Sequence, residues 1–266
     1  MSPITTIQEM DFSKSEQYTL SIRINTDGFS FSIYNPLSDN PYTFFDLDID
    51  RKLPLIANFK ALVTNHPFLS QLYKRVNILI GDTKTIVHPL NLFNPDICQE
   101  LYYFGQKLLN TNTQVCYNTL EANNLTIIYG ANKILYKFLN EHFRNPRFFA
   151  QNTPLIAYYS QKSKEGNTKK MFVHIQAETM HLFCLNKGKL LLTNAFNASE
   201  TSNQVYYILY IWKQLTYSQE RDELFLSGNL EDKTNLLDAI KKYIANVSVL
   251  NPSEYLDLKA MNLCEL

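Results

Sequence analysis

Apolar and polar residues alternate on both sides of Asp27-Gly28 across residues 19–34 (TLSIRINTDGFSFSIY), the pattern of two strands joined by a turn. Residues 42–49 (YTFFDLDI) add a third strand. From 53 to 74 the period changes. Leu55, Phe59, Leu62, Leu69 and Leu72 recur at roughly helical spacing, with a break at His66-Pro67. The apolar run VNILIG at 76–81 reads as a short buried strand, and 85–93 as extended. Asn94-Pro95 opens a helix to about Leu109. Strands near 114–120 and 125–129 precede a helix from Ala131 to Phe143. Residues 147–149 are extended, and Thr153 is placed to cap a helix reaching about Lys162.

The second half starts from the polar, cationic stretch 161–170 (QKSKEGNTKK), which reads as the clearest loop in the chain. Three strands follow at 171–176, 179–186 and 189–195, with Lys187-Gly188 as the second tight turn. A helix at about 200–215, a strand at 223–227 ending on Gly228, a helix at about 232–244 and a short strand at 248–250 complete the pattern. The tail from Pro252 fits no single pattern.

The order of elements repeats. Ile22-Arg23-Ile24-Asn25 matches Val173-His174-Ile175-Gln176 at an offset of 151, and Ile78 to Asp82 matches Phe225 to Asn229 at an offset of 147. Both halves read as one β-β-β-α-β-α unit, with a helix available for the crossover from third to fourth strand. Two such units resemble the layout of the actin, sugar-kinase and heat-shock-ATPase superfamily. Met171 to Ala195, the following helix and FLSGN at 225–229 are similar to the second subdomain of bacterial pilus-assembly and cell-division actin-like proteins. The stretches LTIIYGANKILYKFL and TPLIAYYSQ resemble the linking region of the pilus-assembly group. The resemblance implies an α/β fold of two duplicated ribonuclease H-like subdomains, each a mixed five-stranded sheet flanked by helices. Their expected extents are 1–152 and 153–266, with the C-terminal tail packing back on the first. It also implies a bacterial protein.

In active members of that superfamily each hairpin opens with Asp-x-Gly, where the Asp holds metal or its waters and the Gly admits phosphate oxygens. By the resemblance, Arg23 and Asn25 stand at those positions in the first hairpin, and His174 and Gln176 in the second. The Thr-rich turn becomes Ala177-Glu178-Thr179-Met180, and its closing Asp becomes His181. The adenosine-binding Gly-Gly is reduced to Gly228-Asn229. Arg23 would repel Mg²⁺, yet it could take a phosphate bidentately. The expectation is therefore a non-catalytic scaffold or adaptor, with no cofactor and with ATP and Mg²⁺ disfavoured. The residues that would still hold a nucleotide or phosphate are Arg23, Asn25, Thr26, Gln176, Thr179, Gly228 and Asn229. A nucleotide or phosphometabolite binder, and a small-molecule kinase with relocated acids, are the alternatives. In a further one, a register shift makes Asp27-Gly28 the phosphate turn.

Composition agrees with this picture. Seven glycines in 266 residues leave little for loops that cradle phosphate. Equal charge, 25 Lys+Arg against 25 Asp+Glu, removes any general pull toward nucleic acid or anionic membrane. No apolar run is long enough to span a bilayer and no N-terminal secretion signal is present, so the cytoplasm is the expected compartment. Cys98, Cys116, Cys184 and Cys264 have no zinc spacing and read as mostly buried free thiols. His174 and His181 are not forced together by strand facing, and Asp46, Asp48 and Asp50 read as a solvated strand face. Lys164, Lys169 and Lys170 read as a soluble loop patch, while Tyr207, Tyr210 and Ile211 fit a helical core stripe. A protein partner and self-association are expected from the resemblance.

Overall fold

The computed structural model describes residues 11–81, 84–104, 112–176, 179–230, 234–251 and 253–264. The chain divides into two compact units, 1–153 and 154–266.

In the first unit a short 3-10 turn, Phe12–Gln17, leads into β1 (Thr19–Ile24), β2 (Phe29–Tyr34) and β3 (Tyr42–Leu47). Helix α1 (Leu55–Asn65) stops at His66, where Pro67 begins a 3-10 turn. Asn58 secures the start of α1: its side chain receives the Asp50 amide at 2.7 Å and donates to the carbonyls of Asp50, Leu53 and Pro54. Strand β4 (Arg75–Ile80) runs parallel to β1, and β8 (Arg147–Ala150) runs parallel to β4. The sheet order is β3-β2-β1-β4-β8. Between β4 and β8 the chain makes a separate sheet, β5 (Thr85–Pro89), β7 (Leu125–Asn132) and β6 (Thr113–Leu120), and two helices, α2 (Cys98–Phe104) and α3 (Lys133–His142). Asn132 caps α3, its Oδ1 accepting from the amides of Ile134 and Leu135. Leu20, Ile22 and Ile24 of β1 pack with Phe59 and Leu62 of α1 and with Leu135 and Leu139 of α3.

Helix α4 (Asn152–Lys162) crosses into the second unit, which continues with β9 (Lys169–Gln176), β10 (Thr179–Asn186), β11 (Lys189–Asn197) and α5 (Thr201–Gln214). It ends with β12 (Glu223–Gly228), α6 (Thr234–Lys241), β13 (Asn246–Asn251) and a short α7 (Leu256–Ala260). The order β11-β10-β9-β12-β13 repeats that of the first sheet, with β9, β12 and β13 parallel. The β10–β11 turn uses left-handed backbone at Lys187 (φ 49°) and Gly188 (φ 85°), which matches the right-handed twist of the strands it joins. Met171, Val173 and Ile175 pack with Ile208, Ile211 and Trp212 of α5 and with Leu236 and Ile240 of α6.

Several expectations are corrected. Thr153 is not a cap: α4 begins one residue earlier, and the Thr153 hydroxyl donates to Asn118 Oδ1 at 2.9 Å. The 161–170 stretch is not all loop, because β9 starts at Lys169. Lys170 is 5% exposed and its Nζ lies 3.0 Å from both carboxylate oxygens of Glu223, so it belongs to a strand-to-strand ion pair rather than a soluble patch. Tyr210 is 49% exposed and stacks on Tyr206, outside the stripe formed by Ile208, Ile211 and Trp212. Of the three aspartates, only Asp46 lies on β3; all three are exposed. The α2 helix is described as far as Phe104, and Ala177, Glu178 and Asp82 lie outside the described residues.

Candidate functional site

The two sheets can be overlaid by their hydrogen bonds. The Gly81 amide donates to the Ile24 carbonyl at 2.9 Å, and the Asn229 amide donates to the Ile175 carbonyl at 2.8 Å. Ile24 and Ile175 are the last core residues of β1 and β9, so Gly81 corresponds to Asn229 rather than to Gly228. The sequence match between fourth strands is thus one residue out of register, because both strands end in an apolar run followed by Gly and either Gly can be aligned. Gly228 has a different reason to be glycine. Its φ is +90°, and a Cβ there would collide with the carbonyl oxygen of Ile175.

Arg23 and His174 occupy matching strand positions on the side away from the helices α1/α3 and α5/α6, and both are buried. The Arg23 guanidinium donates from Nη2 to Ser30 Oγ at 2.8 Å. Around it lie Ser21, Ser32 and Asn77, all buried; Asn77 donates to Ser21 Oγ at 3.3 Å. His174 lies 3.2 Å from Ser227 Oγ through Nδ1, and the Tyr159 hydroxyl shares a 2.6 Å hydrogen bond with the same Ser227 oxygen. Burial pushes the Tyr159 phenol well above its ordinary pKa, which keeps it protonated. Strand register sets His181 directly opposite His174, with ring centroids 6.5 Å apart, so facing does bring this pair together. Among the described residues no group of three or more His, Cys, Asp or Glu could hold a metal ion.

The other predicted residues gather at the carboxyl ends of the parallel pairs, the place where open α/β sheets take ligands. In the first unit Asn25 and Thr26 follow β1, and the Asn25 amide donates to Gly28 to close the turn. They line a cavity of about 430 Å³ together with Gly81, Lys84, Gly130 and the α3 cap Asn132. The space that a Cβ on Gly81 would fill is taken by the side-chain carboxamide of Asn25, and the space at Gly130 by the Tyr102 hydroxyl. In the second unit Gln176 pairs with Thr179 across the turn, and Gly228 and Asn229 close against Ile175. Arg23 stands two residues before Asn25, inside the sheet. Lys84 and Asn132 were missed by motif reading. The helix-capping pattern of Asn132 before KILYKFL was a legible signal for the latter. Burial pushes the Cys184 thiol up to about 12 and the Cys116 thiol up to about 11, away from the reactive thiolate form.

Repeated five-stranded sheets with two parallel ends of this kind define an actin-like ATPase fold, and solved structures agree. A Bacteroides thetaiotaomicron protein with actin-like ATPase fold and unknown function is 46% identical, covers 95% of this chain and 98% of its own, and superposes with a TM-score of 0.88. At the level of fold alone, the chain is similar to a PilM–PilN type IV pilus biogenesis complex (12% identity, 94% and 98% covered, TM-score 0.58). It is also similar to the ethanolamine utilization protein EutJ from Carboxydothermus hydrogenoformans (9% identity, 92% and 89% covered, TM-score 0.50). The chain belongs to the family described as protein of unknown function DUF3822, which matches residues 7–247. No curated protein matches it. Among the described residues no helix is long and apolar enough to cross a membrane.

Proposed function

We propose that this chain is a non-catalytic actin-like scaffold or adaptor that works by holding a protein partner, its ATPase motifs eroded. One observation carries the reading: the matching positions at which resemblance to active members implies metal-binding carboxylates hold buried Arg23 and buried His174, each engaged with a serine hydroxyl. A buried guanidinium beside a phosphate-type turn opposes Mg²⁺, and a histidine is a poor ligand for so hard a cation. By analogy of fold, a similar protein in a pilus biogenesis complex stands with a second protein. The test is ATP turnover by the purified chain with and without Mg²⁺. No magnesium-dependent phosphate release is expected, and measurable turnover overturns the reading.

A second reading, a nucleotide or phosphometabolite binder without hydrolysis, is favoured by the cavity beside Thr26, Lys84 and Asn132. In that case calorimetry registers ADP or ATP binding that weakens in Lys84→Gln while turnover stays absent.

A further inference from the structure

The opposite end of the first sheet carries a second cavity. It has a volume of about 540 Å³, and its lining includes Glu16, Lys74, Arg75, Arg144 and Arg147. Among its described lining residues, Arg75 is already engaged in an interaction, and Lys74, Arg144 and Arg147 are the cations that stand with one carboxylate, Glu16.

The fold produces this convergence. Strands β1, β4 and β8 are parallel, so their amino ends lie together, remote from the Asn25 turn at the carboxyl ends. Arg147 pairs with Asn77 in register, and Arg75 is two residues before Asn77, so both guanidinium-bearing positions project from one face as diagonal neighbours. Asn145, in left-handed backbone at φ 50°, reverses the chain between α3 and β8 and sets Arg144 on the same rim. The Lys74 amide is tied to the Tyr18 carbonyl at 3.0 Å, which fixes that wall. The Tyr73 hydroxyl donates to the Phe68 carbonyl at 2.9 Å. Lys74, Arg144 and Arg147 carry like charge on one rim, and an anion relieves their mutual repulsion. Arginine forks match the oxygens of phosphate and carboxylate bidentately.

We propose that this cavity binds a compact, multiply charged oxyanion, a small phosphate ester or polycarboxylate, at a site separate from the nucleotide-type end of the fold. The volume falls within the range of small-ligand pockets, and the cations ring one concavity rather than run in a stripe, which favours a small molecule over a nucleic acid or an extended acidic peptide.

Titration calorimetry on the full chain tests this, with inorganic pyrophosphate in one arm and citrate in the other, at about 50 mM and about 300 mM salt. Binding of at least one probe is expected, weaker at the higher salt, and reduced about tenfold or more in Arg144→Gln/Arg147→Gln. The two arms tell phosphate from carboxylate chemistry. Both arginines are exposed, so the variant keeps its fold, and an unchanged melting temperature checks this. Lys84→Gln, in the other cavity, should leave the affinity unchanged. The proposal fails if neither probe binds. It also fails if the arginine variant binds as well as the native chain, or if the loss appears in Lys84→Gln instead.

Discussion

On the side facing α1 and α3, β1 presents Leu20, Ile22 and Ile24; at the same positions β9 presents Met171, Val173 and Ile175 to α5 and α6. The reverse faces differ. Under the first sheet stand Ser21, Arg23, Ser30, Ser32 and Asn77, all buried. Under the second, Phe172 stacks between Tyr159 and Phe225 with centroids at 4.6 and 5.2 Å, beside His174 and Phe183. One side of each sheet must be apolar, because amphipathic helices bury their stripe against it. The reverse side has no such fixed demand and can be satisfied by hydrogen bonds or by rings. The two halves have taken different solutions on the face that also carries Arg23 and His174.

Substituting the matching residues tests that contrast most strongly. Phe172→Ala removes the centre of a ring stack and should cost about 3–5 kcal/mol. Ser21→Ala, at the corresponding position of β1, gives up a hydrogen bond from Asn77 and should cost about 1 kcal/mol. Chemical denaturation measures both; equal losses would mean that the two reverse faces carry similar loads. Next comes the pair Gly228→Ala and Gly28→Ala. The first forces a Cβ into left-handed backbone and against the Ile175 carbonyl, for about 3 kcal/mol. At Gly28 the nearest atom to a new Cβ is the Leu47 carbonyl oxygen at 3.7 Å, and a change within about 0.5 kcal/mol is expected.

The smallest effect concerns pH. Burial tends to raise the Glu223 carboxyl, but hydrogen bonds from Thr168 and Lys170 and the charge of Lys170 outweigh it and hold the group below its ordinary value of 4.5. A depressed carboxyl stabilises fully above its unfolded pKa and loses that contribution as pH falls through the native value. Glu223→Gln should therefore flatten the fall in melting temperature between about pH 5 and pH 3. An unaltered acid limb would show that the pair with Lys170 is worth little.

Alternation and helical spacing were enough to find both hairpins, their third strands, the crossover helices and the repeat, because each of those elements buries one face. What escaped depended on partners distant in sequence. Lys169-Lys170 looks like loop because the carboxylate that buries Lys170 is 53 residues away. The His174–His181 opposition follows from hairpin register, which spacing alone leaves open. The offset between Gly228 and Asn229 is set by one backbone hydrogen bond that has no compositional trace. Asn25 and Thr26 were legible from the turn they open, whereas Lys84 reaches the same cavity from after β4, with no motif around it.

Asn118 on β6 accepts the Ala150 amide at 2.9 Å and donates to the Phe148 carbonyl at 2.8 Å. Strand β8 is the last of its sheet, and this side chain engages groups that a further strand would otherwise engage. An unpaired strand border is a template for another copy of the chain, and the first step toward aggregation. A carboxamide has the same donor and acceptor as a peptide group, so the molecule closes its own border with a side chain. It thereby blocks, at one short strand, the edge-to-edge growth that an open parallel sheet invites.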